Sequence, residues 1–223
     1  MTQLEALIFD CDGVLFESRG ANLAYYNRIL GEFCYPPVDA DNHELSQFCH
    51  TASSPQVLAG LLRREDVPAA LAFAATLDYR EFIPHMQPEQ HLEEVLQTLS
   101  CRFPLAVATN RGGSIVAILD HFAYRDYFSV VVTSQDVSSP KPAPDMLLLA
   151  LEKLNKKPQN CLFIGDSELD KQAAAAAGVP FAGYGNLVTA PLALTSHREL
   201  LQYVQAENGE SPVTPGSFSS PAH

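Results

Sequence analysis

Two aspartates one residue apart, Asp10 and Asp12, close the first apolar run of the chain, Leu4-Glu5-Ala6-Leu7-Ile8-Phe9, in the stretch Asp10-Cys11-Asp12-Gly13-Val14. Side chains alternate along extended backbone, so the two carboxylates point one way and Cys11 points back toward the core. Gly13 tolerates φ > 0 and lets the chain turn directly behind the pair. Three further polar clusters stand at the ends of later apolar runs: Thr109-Asn110-Arg111-Gly112, Ser139-Pro140-Lys141-Pro142 and Gly165-Asp166-Ser167-Glu168-Leu169-Asp170. Brought together, Asp10, Asp12, Asp166 and Asp170 carry up to four negative charges, and like charges at close range suppress ionisation unless a cation intervenes. Lys141 is one charge and is not enough. A hard divalent ion with oxygen ligands, most simply Mg²⁺, is the expected cofactor, and it would also draw in a phosphate.

Four loops can meet only if the elements between them form a sheet. After residue 100 short apolar runs alternate with helical patterns: strands are expected at Leu105–Ala108, Phe128–Val132, Leu162–Ile164 and Val179–Ala182, and helices near Ser114–Phe122, Pro144–Leu154 and Glu168–Ala177. That alternation predicts a parallel sheet covered by helices on both faces, an open α/β fold that binds ligands beyond the carboxyl ends of its strands. The first strand is separated from the second by nearly a hundred residues, where a βαβ crossover takes about 30. The surplus reads as helical, at Ala21–Leu30, Glu44–His50, Pro55–Arg64 and Pro68–Phe82, and returns through Pro84-His85-Met86-Gln87-Pro88 to an amphipathic helix over Glu89–Leu99. An inserted helical domain tied to the core by two connections would hinge over the acidic pair.

Composition bounds the rest. The 223 residues are 47% hydrophobic and 18% charged with a net charge of −12, a globular balance that disfavours nucleic acid and anionic membrane as partners. No basic leader and no apolar run of roughly 20 residues is visible, which predicts a soluble protein. The five scattered cysteines lack a C-x-x-C pair and fit reduced thiols in the cytoplasm. Cys11, flanked by carboxylates, should hold its proton and not act as a nucleophile. Residues 207–223, rich in Ser, Pro and Gly, are expected to be disordered.

In order and spacing the four clusters resemble the haloacid dehalogenase-like hydrolase superfamily, in the branch that carries a helical cap after the first motif, over nearly all of residues 1–205. The resemblance implies a doubly wound parallel Rossmann-like core (residues 1–17 and 89–206) with an all-helical cap (18–88). It makes Asp10 the nucleophile that becomes an aspartyl phosphate and Asp12 the acid and base. Thr109, Asn110 and Lys141 would hold the phosphoryl oxygens. Metal ligands would be the Asp10 and Asp166 carboxylates and the Asp12 backbone carbonyl, with Asp170 orienting a metal-bound water and also suited to the start of a helix. Dehalogenases of the superfamily lack the second aspartate, here Asp12, and phosphonate-cleaving relatives use a cap lysine, whereas all five lysines lie outside the cap. What remains is a phosphatase acting on a small phosphorylated metabolite, with a phosphomutase of the β-phosphoglucomutase type as the alternative and a non-catalytic regulator as a further one. In the cap, Arg19, Tyr25 and Arg28 are candidates to meet the substrate; Arg63, Arg64, Arg80, His43 and His50 are weaker ones, the histidines lacking any metal-ligand spacing. Pro88-Glu89 stands where the family often has a glycine after the linker proline. Oligomeric state is not legible.

Overall fold

The computed structural model describes residues 4–207. In chain order the elements are β1 (Ala6–Phe9), β2 (Phe16–Glu17), α1 (Arg19–Glu32), α2 (His43–Thr51), α3 (Ser54–Leu61), α4 (Val67–Ala74), β3 (Gln87–Pro88), α5 (Leu92–Ser100), β4 (Leu105–Thr109), α6 (Ser114–His121), β5 (Phe128–Thr133), α7 (Asp145–Leu154), β6 (Cys161–Gly165), α8 (Glu168–Ala177), β7 (Phe181–Tyr184), β8 (Leu192–Leu194) and α9 (His197–Glu207). Six of the strands form one parallel sheet in the order β5-β4-β1-β6-β7-β8. β1 is therefore central, with β4 and β6 on its two sides, and the loops that follow all three emerge at one edge.

Alternation along these strands builds two cores. Leu7, Phe9, Leu105, Val107, Leu162 and Ile164 pack on the face covered by α5, α6 and α9, while Ala6, Ile8, Ala106, Ala108, Cys161 and Phe163 pack on the face of α7 and α8. A parallel sheet buried on both faces needs such unbroken apolar strands. In α8 the run Ala173–Ala177 lets the helix lie close on the sheet, and Gly178 at φ 69° ends it.

Between β1 and α5, helices α1 to α4 close around a third core of Tyr26, Ile29, Leu30, Val57 and Leu58. This helical cap joins the sheet domain through a two-stranded antiparallel ribbon, Phe16 opposite Pro88 and Glu17 opposite Gln87. Glu89 continues the tie by donating its N–H to the Leu15 carbonyl at 3.0 Å.

Several boundaries differ from the sequence reading. The helix expected over Pro68–Phe82 stops at Ala74 and gives way to single 3₁₀ turns at Tyr79–Glu81 and Ile83–His85. The Thr76 hydroxyl bonds back to the Phe73 carbonyl at 2.7 Å, and the Asp78 carboxylate caps the Arg80 N–H at 3.0 Å, local side-chain bonds that compete with helix continuation. Helix α3 ends at Leu61 rather than Arg64, and the strand expected at Val179–Ala182 lies two residues later. The ribbon strand β3 occupies the end of the expected linker, and β8 and α9 had no counterpart in the pattern. Of the expected disordered tail only Glu207 is described, as the last residue of α9; residues 208–223 lie outside the described residues. Among the described residues all five cysteines are free thiols, and no helix is long and apolar enough to cross a membrane.

Candidate active site

Beyond the ends of β1, β4 and β6 the loops meet as one buried polar cluster. Asp10, Asp12, Thr109, Asn110, Lys141, Asp166 and Asp170 are each at most 7% exposed. Cys11 points into the core with Leu7 and Phe9, and burial, then Asp12, push its thiol well above the usual range. Carboxylate oxygens of Asp10, Asp166 and Asp170 lie within 4.8 Å of one another. Lys141 Nζ sits among them, 2.8 Å from Asp10 Oδ1 and 2.6 Å from Asp170 Oδ1. Cys11 N–H also donates to Asp10 Oδ1, at 2.7 Å. Burial and the neighbouring Asp170 nevertheless raise the Asp10 pKa to about 7, against the opposing pull of Lys141. Asp166 is pushed well above the carboxylate range by burial, then by Asp170 and Asp10.

The backbone is shaped to this crowd. Gly13 has φ 73°, and a Cβ there would lie 2.1 Å from Asp166 Oδ2; no other residue fits. A Cβ on Gly165 would lie 2.5 Å from the Asp170 Cβ. Asp170 also accepts from the Ser167 N–H at 3.1 Å while its own N–H donates to Ser167 Oγ at 3.3 Å, the reciprocal cap of α8. Asp170 thus stands in the first turn of α8, as expected of a helix-start carboxylate, and also serves as a counter-charge of Lys141.

Asn110 is placed differently from what the resemblance implied. Its Nδ2 donates to the Thr51 and Lys141 carbonyls at 3.1 and 3.2 Å, and its Oδ1 accepts from the Lys141 N–H at 3.0 Å. The amide pins two core loops and the end of α2 to one another. Thr109 Oγ1 accepts from the Arg111 N–H at 3.1 Å, so its hydroxyl proton is available to a ligand.

A residue without an assigned role in the sequence reading proves central. Arg111 is 8% exposed and donates from Nε and Nη2 to Asp12 Oδ1 at 3.0 and 2.6 Å. Nη2 also reaches Asn22 Oδ1 at 2.6 Å, and the guanidinium lies 4.9 Å over the Tyr79 ring. Ser18 and Asn22 donate to the same Asp12 oxygen. Burial, the largest single influence, pushes the Asp12 pKa up, but Arg111, His50 and the Ser18 hydrogen bond together outweigh it and the net shift is downward. The signal was available: four clustered acids against one lysine call for more positive charge, and Arg111 is the cation adjoining Thr109-Asn110.

Beside the cluster, reaching it at Asp12, Asn110 and Arg111, the cap and core line a cavity of about 810 Å³ whose other walls include Tyr25, Tyr26, His50, Ser53, Gln56, Tyr79 and Gln135. Of the cap candidates, Tyr25 lines this cavity and His50 is buried beside Asp166. Arg19 pairs with Glu17 at 3.6 Å, Arg28 with Glu32 at 3.1 Å and Arg80 with Asp78 at 2.7 Å, all on the surface. Arg63, Arg64 and His43 are exposed.

Comparison with known proteins gives a consistent answer. The sequence is 28% identical over 179 residues to the fructose-1-phosphate phosphatase of Escherichia coli, covering 78% of this chain and 92% of that protein. It is 43% identical over 95 residues to the phosphoglycolate phosphatase of the same organism, a match that spans only 42% of this chain and 38% of that enzyme. A crystal structure of a haloacid dehalogenase-superfamily hydrolase of subfamily IA, variant 1, from Geobacter sulfurreducens superposes with a TM-score of 0.79 at 40% identity, covering 90% of this chain and 99% of that one. The β-phosphoglucomutase of Clostridium difficile shares the fold, with a TM-score of 0.79 at 20% identity over 93% of this chain and 98% of that one. The profile of the haloacid dehalogenase-like hydrolases spans residues 7–184, from β1 to β7. With the acid-bearing loops, five of the six sheet strands and the inserted cap inside that span, the chain belongs to the haloacid dehalogenase-like hydrolase family.

Proposed function

We propose that this enzyme is a Mg²⁺-dependent cytoplasmic phosphatase that releases phosphate from a small phosphorylated, hydroxyl-bearing metabolite through an aspartyl phosphate on Asp10. The observation that carries the reading is a charge count. Arg111 pairs with Asp12, and Lys141 is shared between Asp10 and Asp170, so four carboxylates face two cations in a buried pocket and Asp166 has neither. A divalent cation supplies what is missing. The donor set fits: the oxygens are hard, they converge within 4.8 Å, and the buried Asp166 Oδ2 has no hydrogen-bond partner among the described residues. Asp10, Asp166 and the Asp12 backbone carbonyl would hold the ion, which when bound offsets carboxylate charge and polarises a phosphoryl oxygen.

Asp10 Oδ1 is held by Lys141 and the Cys11 N–H, so the remaining oxygen, Oδ2, attacks phosphorus. Lys141 and the Thr109 hydroxyl steady the phosphoryl oxygens as charge builds on them. Asn110 acts indirectly, fixing the Lys141 backbone and the edge of the cap. Asp12 presents Oδ2 while its Oδ1 stays on Arg111. Ionised by Arg111, it is ready to take a proton from the water that hydrolyses the intermediate; the arriving phosphate dianion raises its proton affinity and lets it first serve the leaving oxygen as an acid. The cap, for which we take residues 18–88, closes the cavity over these groups. Among its largely apolar walls, which include Leu71, Leu77 and Val137, the hydroxyls and amides of Tyr25, Ser53, Gln56 and Gln135 suit an uncharged polyhydroxyl leaving group, and the volume is ample for a sugar.

The test is phosphate release from a panel of phosphomonoesters, including fructose 1-phosphate and phosphoglycolate, with Mg²⁺ and after chelation. The reading expects release that needs the metal and favours sugar phosphates. Release undiminished by complete chelation contradicts it, and conversion of a hexose 1-phosphate to the 6-phosphate without free phosphate would make the enzyme a mutase.

A further inference from the structure

Two buried side-chain atoms beside the acid cluster, His50 Nε2 and Asp166 Oδ2, have no hydrogen-bond partner among the described residues. They are 4.0 Å apart, beyond hydrogen-bond range. His50 belongs to α2 of the cap, is 3% exposed, and has no part in the mechanism above. Which ring nitrogen carries a proton follows from its neighbours. A guanidinium only donates, so the Asn22 atom 2.6 Å from Arg111 Nη2 is the amide oxygen, which also accepts from the Tyr79 hydroxyl at 3.0 Å. The Asn22 NH₂ therefore faces His50, with Nδ2 3.4 Å from Nδ1. An NH₂ only donates, so Nδ1 is the acceptor and the ring proton sits on Nε2. A charged ring would carry a proton on Nε2 as well. The cap thus directs an N–H donor at the metal side of the pocket, where a Cβ on Gly13 would come within 3.2 Å of it.

We propose that His50 is a further catalytic residue, donating its Nε2–H to a non-bridging oxygen of the transferring phosphoryl group, with Asn22 and Arg111 setting the tautomer. The idea rests on Asp10 as the phosphoryl acceptor. Nε2 stands 4.0 Å from Asp166 Oδ2, and that carboxylate belongs to the cluster in which oxygens of Asp10, Asp166 and Asp170 lie within 4.8 Å of one another; an oxygen one hydrogen bond from Nε2, about 2.9 Å, would sit beside that cluster. No proton is transferred; the donor stabilises charge that grows on the oxygen. Because His50 arrives on the cap, this contact would exist only with the cap closed.

The experiment uses the full chain labelled with ¹⁵N-histidine, with Mg²⁺ and orthovanadate as the phosphoryl mimic. Long-range ¹H–¹⁵N correlation should find Nδ1 bare and Nε2 protonated, and the Nε2–H resonance should move when vanadate joins Mg²⁺. A proton on Nδ1 alone overturns the proposal, as does a resonance that shifts with Mg²⁺ and not further with vanadate, which would mean an ion-bound water, or one that never shifts. His50→Leu should lose about 10²-fold in kcat/KM and bind vanadate correspondingly less, while His50→Gln, which returns an N–H near Nε2, should retain most of both. A His50→Leu enzyme equal to the parent in both overturns it; if that variant fails to fold, the resonance test on the parent decides. Asp10→Asn separates the layers: an inactive Asp10→Asn beside a fully active His50→Leu sinks only the role of His50, whereas an active Asp10→Asn sinks the reading beneath it.

Discussion

Arg111 holds Asp12 through two donors to a single oxygen, both side chains buried. Removing one partner of such a pair strands the other charge in low dielectric, which costs about 3–5 kcal/mol. Arg111→Met should therefore lower unfolding free energy by about that much, and Asp12→Asn in the same chain should recover part of the loss. Denaturant unfolding of the two single variants, the double variant and the parent measures the coupling; strictly additive effects would show that the two groups do not depend on each other. Gly13→Ala places a methyl where Asp166 Oδ2 stands, at a φ that disfavours any side chain. It should weaken Mg²⁺ binding as read by calorimetry, and unchanged affinity would put the ion elsewhere. Most of the site was readable because its polar residues cluster with a glycine or proline directly after apolar runs, as in Asp10-Cys11-Asp12-Gly13 and Gly165-Asp166, a local pattern. Arg111 and Asn22 were given no role and His50 only a weak one, because their importance comes from contacts across roughly 28 to 99 positions of chain, which no window of sequence displays.

At the level of elements the central strands of the sheet were legible, while β8, α9 and the cap edges were not. Unbroken apolar runs such as Leu105–Ala108 belong to a sheet buried on both faces, and that pattern is strong. The segment after Ala74 is as apolar as a helix, yet short side-chain bonds at Thr76 and Asp78 end it and turn Tyr79 onto Asn22. The loop behind the first motif is gripped from α9, where His197 Nε2–H donates to the Val14 carbonyl at 2.7 Å. Burial depresses the His197 pKa from 6.5 to about 4. The unfolded chain thus binds the additional proton between those values, and this residue's contribution to stability falls as pH drops from about 6.5 to 4, by up to about 1.4 kcal/mol per pH unit. His197→Gln should flatten the acid limb of the stability profile in that window. A profile equally steep in the variant would mean that the acid transition comes from other groups.

Across the whole molecule the net charge of −12 concentrates its consequences at one pocket. Asp10 binds its proton more tightly folded than unfolded, with a pKa near 7 against 3.8. Without metal, its contribution to stability therefore falls as pH rises from about 4 to 7, and Asp10→Asn should gain on the parent across that range. Mg²⁺ at neutral pH should reverse the trend, raising stability by about 2.7 kcal/mol at a hundredfold excess over its Kd; a melting temperature indifferent to Mg²⁺ would contradict the charge count. The account turns on Asp10 as the group that receives phosphorus, and the direct measurement is phosphate release by Asp10→Asn at saturating Mg²⁺ and substrate, with folding verified by its melting curve. Release should vanish while the fold persists. A folded Asp10→Asn protein that liberates phosphate at the parental rate would contradict the mechanism.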